Sequence, residues 1–265
     1  MDIIKSKENR FFKELTKLET KKFRDKNLLF KIEGANLVRE AVDCGVELVS
    51  IVVNEENAGE EVNTIVERAI SECAKINSVY LSAQLFKKIS DTVNSQGIIA
   101  VAKQRRLTEK EFFEGSEGKN FVVLDSVQDP GNVGTILRTA EAAGYAGVIS
   151  AGTSADVYSP KVVRACAGTL FRLPVLKVDK VCEAIEILKT KNKKIVSLDM
   201  DGERAYFEVK LCNDIALVLG NEGNGISEDA KNASDMVIKI PMQGQIESLN
   251  VAVSAAIVMY ENMRA

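Results

Sequence analysis

FVVLDSVQDPGNVGTILRTAEAAG, residues 121–144, decides the class of the fold. Phe121 to Leu124 is a continuous apolar run, the pattern of a strand buried on both faces. Asp125 ends it, Pro130-Gly131 turns the chain, and Asn132 stands just before a helix expected over 133–143. Gly144, one residue past that helix, is the usual C-terminal stop. Strand, turn and helix in this order are the repeating unit of an α/β layer. Gly134 permits close approach of another backbone. Arg138 lies among Ile136, Leu137, Ala140, Ala142 and Ala143. A guanidinium in such company calls for a carboxylate or phosphate partner, and an ordinary structural ion pair would serve as well as a substrate.

The same alternation extends downstream. VISA follows Gly147, Pro160 opens a helix through Cys166, and KIVSL (194–198), IALVLG (215–220) and MVIKI (236–240) read as further strands. A closing helix is expected over 249–263, with Ser248 as its cap. Apolar strands between helices predict a mostly parallel sheet covered on both faces.

Upstream, LLFKIE (28–33), LVSIVV (48–53), SVYLS (78–82) and GIIAVA (97–102) read as strands. Helices are expected over 35–44, ended by Gly45, over 60–75, and from Ser82 to Asp91. Residues 104–119 are charged, contain glycine and lack a sustained period. The boundary belongs there, giving domains at 1–104 and 120–265 with a linker over 105–119.

Composition narrows the function. There is no histidine, so no imidazole acts as base or metal ligand within this subunit. The five cysteines, Cys44, Cys73, Cys166, Cys182 and Cys212, are scattered without a C-x-x-C pair, against both a disulfide framework and a zinc site. The charged start MDIIKSKENR does not read as a signal peptide, and the longest apolar stretch, near 251–260, is too short to span a bilayer. A cytoplasmic setting is expected, with no membrane and no metal. The net charge of −3 conceals an asymmetry: residues 1–31 carry ten Lys/Arg and five Asp/Glu. A helix over 10–24 would place Phe11, Leu15 and Leu18 on one stripe and Arg10, Lys13, Lys17, Lys21 and Arg24 on another. That basic stripe is either a phosphate-binding surface or an ordinary solvated face.

Three segments at strand ends carry candidate chemistry, since ligands of open parallel sheets bind beyond the carboxyl ends of the strands. One is 125–144. Another is LVLGNEGNGIS (217–227), where Gly220, Gly223 and Gly225 let the backbone wrap a ligand, or simply turn. It matches neither G-x-G-x-x-G nor G-x-x-x-x-G-K-[ST]. The third is IPMQGQIESLNVAVSAA (240–256), whose Ser248 and Asn250 are also explained as helix caps.

In order and spacing these segments resemble the SpoU family of RNA 2′-O-methyltransferases, within the SPOUT superfamily. SKENRFFKELTKL, FKIEGANLVREAV and NSQGIIAVAK resemble the substrate-binding domain of its ribosomal-RNA branch, and YSPKVVRACAGTLFRLPV (158–175) is also similar to that branch. The resemblance covers nearly the whole chain; Cys166 stands where the branch more often has a small hydroxyl residue. It implies an α/β chain: a small N-terminal L30e-like domain and a mostly parallel SPOUT domain with a deep trefoil knot. It implies a homodimer with the active site near the subunit interface, S-adenosylmethionine as cofactor, and RNA, ribosomal and large-subunit, as substrate. By position, Asn132 and Arg138 would be first-motif residues, with Arg138 acting on the ribose hydroxyl as base or as electrostatic stabiliser. Glu222 would be the second-motif acid, and Ser248 and Asn250 would arrange the site. Gly220, Ile240, Met242 and Leu249, with Leu198 a further candidate, would line the cofactor pocket. The N-terminal stripe and Arg164 would contact RNA. A transfer-RNA substrate, a base-directed SPOUT enzyme and an inactive ribosome-assembly factor of the same fold are the alternatives.

Overall fold

The computed structural model describes residues 3–72, 76–92, 95–211 and 213–264. Cys73, Cys212 and the expected helix end at Lys75 lie outside them. The chain divides into two compact units, one formed by residues 1–105 with 158–172, the other by 106–157 with 173–265.

In the first unit the described strands are β1 (Ile3–Ile4), β2 (Leu29–Glu33), β3 (Leu48–Asn54), β4 (Asn77–Leu81) and β5 (Ile98–Lys103). They form one mixed sheet in the order β1-β4-β3-β5-β2. β1, β4 and β3 run parallel, while β5 is antiparallel to both β3 and β2. The helix expected over 10–24 is two helices, α1 (Arg10–Lys17) and α2 (Lys21–Asn27). Asn9 caps α1 by accepting from Phe12 N–H. Phe12, Leu15 and Leu18 enter the core beneath it, beside Leu85 and Phe86. The remaining helices are α3 (Ala35–Asp43), α4 (Glu60–Glu72) and α5 (Ala83–Ile89). Ser82 holds the N-cap position of α5 without a side-chain capping bond.

The stretch 105–119, of which residues 106–119 belong to the second unit, is not a bare linker. It holds α6 (Glu109–Phe113), closed by a Thr108/Glu111 capping box. Phe112 and Phe113 are buried in the core around Phe121, where three aromatic rings meet. Next come β6 (Phe121–Asp125), α7 (Pro130–Ala142) and β7 (Gly147–Ala151). α8 (Pro160–Ala165) belongs to the first unit. The second unit continues with β8 (Val175–Lys177), α9 (Val181–Thr190), β9 (Lys194–Leu198), β10 (Arg204–Ala205), β11 (Ile215–Leu219), α10 (Glu228–Ala233), β12 (Met236–Lys239) and α11 (Val251–Asn262).

Its described strands form a sheet in the order β10-β12-β9-β11-β6-β7-β8, parallel at every pairing. β6 lies between strands that follow it directly on one side and strands reached later on the other, a topological switch point. Leu124, Leu219, Leu198 and Ile238 stand level across β6, β11, β9 and β12. The loops leaving these strands therefore open side by side at one sheet end. α11 packs on α7 and is mostly apolar, leaving Val253 and Tyr260 exposed, with Met263 exposed just past its end. Among the described residues no helix is long and apolar enough to cross a membrane, and no group of three or more Cys, Asp or Glu is placed to hold a metal.

Candidate active site

The first motif starts earlier than its periodicity indicates. Pro130 occupies the first helical turn of α7 and Asp129 is the N-cap, accepting from Asn132 N–H at 3.0 Å. Asn132 is thus inside the helix rather than before it. Proline is pre-set for this position because its missing N–H is one of the donors a helix start leaves unpaired. The third motif differs too. The cap of α11 is Asn250, whose Oδ1 accepts from Ala252 and Val253 N–H at 2.9 and 3.3 Å. Ser248 lies two residues upstream, exposed.

These two helix starts meet the Gly-rich loop through one hydrogen-bonded relay. Asn250 Nδ2 donates to Asn132 Oδ1 at 2.9 Å, and Asn132 Nδ2 donates to Glu222 Oε1 at 3.0 Å. Glu222 also accepts from Asp129 N–H on Oε1 and Gln128 N–H on Oε2, each at 3.0 Å. An ionised carboxylate only accepts, so it turns the Asn132 amide nitrogen toward itself. That leaves Asn132 Oδ1 for the Asn250 nitrogen, and Asn250 Oδ1 for its own helix start. Every amide orientation in the relay follows from one negative charge. Burial raises the Glu222 carboxyl, but the Asn132 amide and the N–H groups of Gln128, Asp129 and Glu222 outweigh it and hold the carboxyl below its ordinary value.

Asn221 shapes the loop itself and escaped the sequence reading. Its Oδ1 accepts from Gly223 and Asn224 N–H at 2.9 and 3.1 Å, and its Nδ2 donates to Ser126 O at 2.9 Å. Its backbone exchanges two bonds with Gly225, closing the loop on itself. Gly220 is obligatory here: a Cβ on it would lie 2.1 Å from the Gly225 carbonyl carbon. Buried Asp125 accepts from Ser227 N–H at 2.7 Å, fixing the far end of the loop to β6. The sequence signal was an asparagine beside three glycines, the residue type that hydrogen-bonds its own turn.

A cavity of about 580 Å³ opens above the ends of β9, β11 and β12, a volume within the range of small-molecule sites. The structure brings Leu198, Gly220, Ile240, Met242 and Leu249 together in its wall, with Glu222, Ser248 and Asn250. Asn132 reaches it through the relay. Arg138 does not line it: it is exposed on α7 and, among the described residues, makes no ion pair. The ionisable lining is Asp199, Asp201, Glu222, Glu228 and Glu247 against Lys231 alone. Such a field repels phosphates and attracts a cation, so it fits a sulfonium nucleoside and disfavours a dinucleotide.

The candidate RNA contacts are not equivalent. Arg10 pairs with Glu14 and Lys13 with Glu8, Lys17 lies over the Phe23 ring, and Lys21 is exposed. Arg24 is a correction: it is 3% exposed, and its guanidinium donates to Leu18 O and Glu19 O at 2.7 and 2.8 Å. It closes the break between α1 and α2 instead of facing outward, because the chain turns where a continuous helix was expected. Arg164 is likewise engaged, donating to Asp91 Oδ2 at 2.7 Å within the first unit. Lys22 and Lys26, not singled out from the sequence, are exposed on α2 beside Lys21.

The SpoU rRNA Methylase family matches residues 119–260, and the MRM3-like substrate binding domain matches residues 9–100. Over 260 residues the chain is 33% identical to the 23S rRNA (guanosine(2553)-2′-O)-methyltransferase RlmP of Bacillus subtilis (strain 168), spanning 98% of both proteins. It superposes on the AdoMet-bound rRNA methyltransferase from Sinorhizobium meliloti with a TM-score of 0.88 at 27% identity, covering 99% of this chain and 97% of that one. The SpoU methyltransferase AviRb from Streptomyces viridochromogenes, in complex with AdoMet, gives 0.87 at 25% identity over 97% of each chain. With three motifs joined at one cavity and the family pattern running through all of them, this chain belongs to the SpoU rRNA methylase family.

Proposed function

We propose that the chain is an S-adenosylmethionine-dependent RNA methyltransferase that modifies a ribose 2′-hydroxyl of large-subunit ribosomal RNA. The observation that carries the reading is the relay Glu222–Asn132–Asn250, which joins the three motifs at the rim of a cavity whose charge suits a sulfonium. The Bacillus subtilis relative, alike over 98% of both chains, is named for 2′-O-methylation of 23S rRNA, and that favours ribosomal over transfer RNA.

The cofactor, when bound, supplies an electrophilic methyl group with a neutral leaving group. The chain's part is then positioning and charge. Leu198, Gly220, Ile240, Met242 and Leu249 form the cofactor wall, and Asn132, Ser248 and Asn250 arrange the reacting end. Holding the partners in line is worth roughly 7–11 kcal/mol of barrier. Glu222 is a positioning group rather than the base, because its charge is spent on three donors and held below the ordinary range. Arg138 supplies a guanidinium that stabilises the developing alkoxide, and the hydroxyl proton passes to an RNA phosphate oxygen. Its place off the cavity suits a homodimer in which α7 and the apolar face of α11 meet a second subunit and return Arg138 to an active site. The exposed Lys17, Lys21, Lys22 and Lys26, with Arg10 and Lys13, form the phosphate-binding surface. The reading includes an L30e-like first unit, a trefoil knot around the Gly-rich loop, and a cytoplasmic location.

The test is transfer of labelled methyl from S-adenosylmethionine to unmodified large-subunit RNA and to unmodified transfer RNA in parallel. Label in the ribosomal RNA alone is expected; label in transfer RNA alone would overturn the choice of substrate.

A further inference from the structure

We infer that Asp199, at the carboxyl end of β9, is the residue that reads the ribose diol of the cofactor. This rests on the cofactor reading of the cavity. Asp199 lines that cavity, and its side chain is 14% exposed. A tight turn fixes it. Its N–H donates to Ile238 O at 3.0 Å and its carbonyl accepts from Gly202 N–H at 3.2 Å. Gly202 has no room for a side chain, since a Cβ there would lie 2.4 Å from the Ile238 carbonyl carbon. One carboxylate oxygen, Oδ1, accepts from Asp201 N–H at 3.0 Å and lies 3.7 Å from Lys231 Nζ. The other, Oδ2, faces Gly225, where even a Cβ would come within 3.1 Å. Among the described residues Oδ2 has no hydrogen-bond donor.

A carboxylate oxygen without a protein donor, held rigid in the wall of a ligand cavity, is an acceptor that a bound ligand can satisfy. Its position decides which donor. In doubly wound α/β folds an acid at a strand end takes a ribose hydroxyl of the bound nucleoside. Asp199 stands at such an end, level with the Gly-rich loop on β11. Gly225 packs beside Oδ2, where an added side chain would crowd the carboxylate. Lys231, shared between Asp199 and Asp201, lies on the Oδ1 side of the carboxylate.

Calorimetric titration of the full chain tests this with S-adenosylhomocysteine, its 2′-deoxyribose analogue, and 5′-methylthioadenosine, against wild type, Asp199→Asn and Asp199→Ala. Wild type is expected to prefer the ribose over the deoxyribose ligand by roughly ten- to a hundredfold, the worth of a hydrogen bond to a charged group. Asp199→Ala should erase most of that preference and Asp199→Asn reduce it. Because the ratio is taken within each variant, a partly destabilised variant still reports it. 5′-Methylthioadenosine, which lacks the amino-acid end, should lose affinity in the variants as S-adenosylhomocysteine does. Equal wild-type affinity for ribose and deoxyribose ligands would overturn this role and leave the cofactor reading standing. A loss confined to S-adenosylhomocysteine would show that Asp199 reads the ammonium instead. Failure of wild type to bind S-adenosylhomocysteine at all would remove both readings.

Discussion

Asn132 Nδ2 donates to Glu222 Oε1 at 3.0 Å across 90 residues of sequence, and this single bond ties the start of α7 to the loop after β11. Replacing Glu222 by Gln puts an amide nitrogen where the Gln128 and Asp129 N–H groups or the Asn132 amide require an acceptor. Glu222→Gln is therefore expected to lower methyl transfer at least about tenfold, as for lost hydrogen bonds to a charged group, with little change in melting temperature. Steady-state kinetics and a thermal melt check both parts. A variant with full activity would show that the relay does not order the site.

The pH dependence follows from the sign of the Glu222 shift. Its folded carboxyl lies below the ordinary value of 4.5, so the ionised form is the one the fold favours. That contribution is complete above the ordinary value and is lost only as pH falls through the lower folded value. Cofactor affinity should be level through neutral pH and decline only in acid. A neutral-range inflection in the rate that disappears in Glu222→Gln would identify Glu222 as the proton acceptor and contradict its positioning role.

Arg138 is exposed, and among the described residues no acid holds it. Arg138→Ala is expected to abolish turnover while S-adenosylmethionine binding, measured by calorimetry, persists within about twofold, since the residue does not line the cavity. Arg138→Lys keeping most of the rate would mean that charge alone suffices and the planar guanidinium has no specific part.

Gly220→Ala tests the loop. The added Cβ would meet the Gly225 backbone at 2.1 Å, which no side-chain adjustment relieves. Cofactor binding should fall by more than about a hundredfold, on the scale of a loop forced off its closed form. Near-normal binding would show that the Asn221–Gly225 closure is dispensable.

For RNA, Lys17→Glu with Lys21→Glu should weaken binding and flatten its salt dependence, by about 0.7–0.9 in the logarithmic slope for each phosphate that is no longer neutralised. Arg24→Ala should instead lower stability, because it strips the donors from Leu18 O and Glu19 O. Deleting residues 1–25 is the poorer probe, as it removes Phe12, Leu15 and Leu18 from the core. Filter binding across salt concentrations separates these effects. An unchanged slope in the double lysine variant would refute the phosphate surface.

The buried strands were legible because continuous apolar runs such as FVVLD and IALVL admit few other readings. Element ends were less so, because caps depend on which polar side chain turns inward. Asp129 and Asn250 do so; Ser248, an equally good cap by type, faces the cavity. α6 was hidden because five residues carry no period, and only tertiary burial of Phe112 and Phe113 makes them a helix. The break between α1 and α2 was hidden by a basic spacing that continues through it, and Arg24 was misplaced as a result. The cavity residues were legible only as motif positions. Their union in one wall depends on the level register of β6, β11, β9 and β12, which no local pattern reports.

The most direct test of the account is methylation of unmodified large-subunit ribosomal RNA by the purified chain with S-adenosylmethionine, followed by nuclease digestion and nucleoside mass spectrometry. A 2′-O-methylated nucleoside, absent when the Arg138→Ala variant is used, is the predicted result. A base-methylated nucleoside, or no methylated product despite measured cofactor binding and the full range of assembly intermediates as substrate, would contradict it.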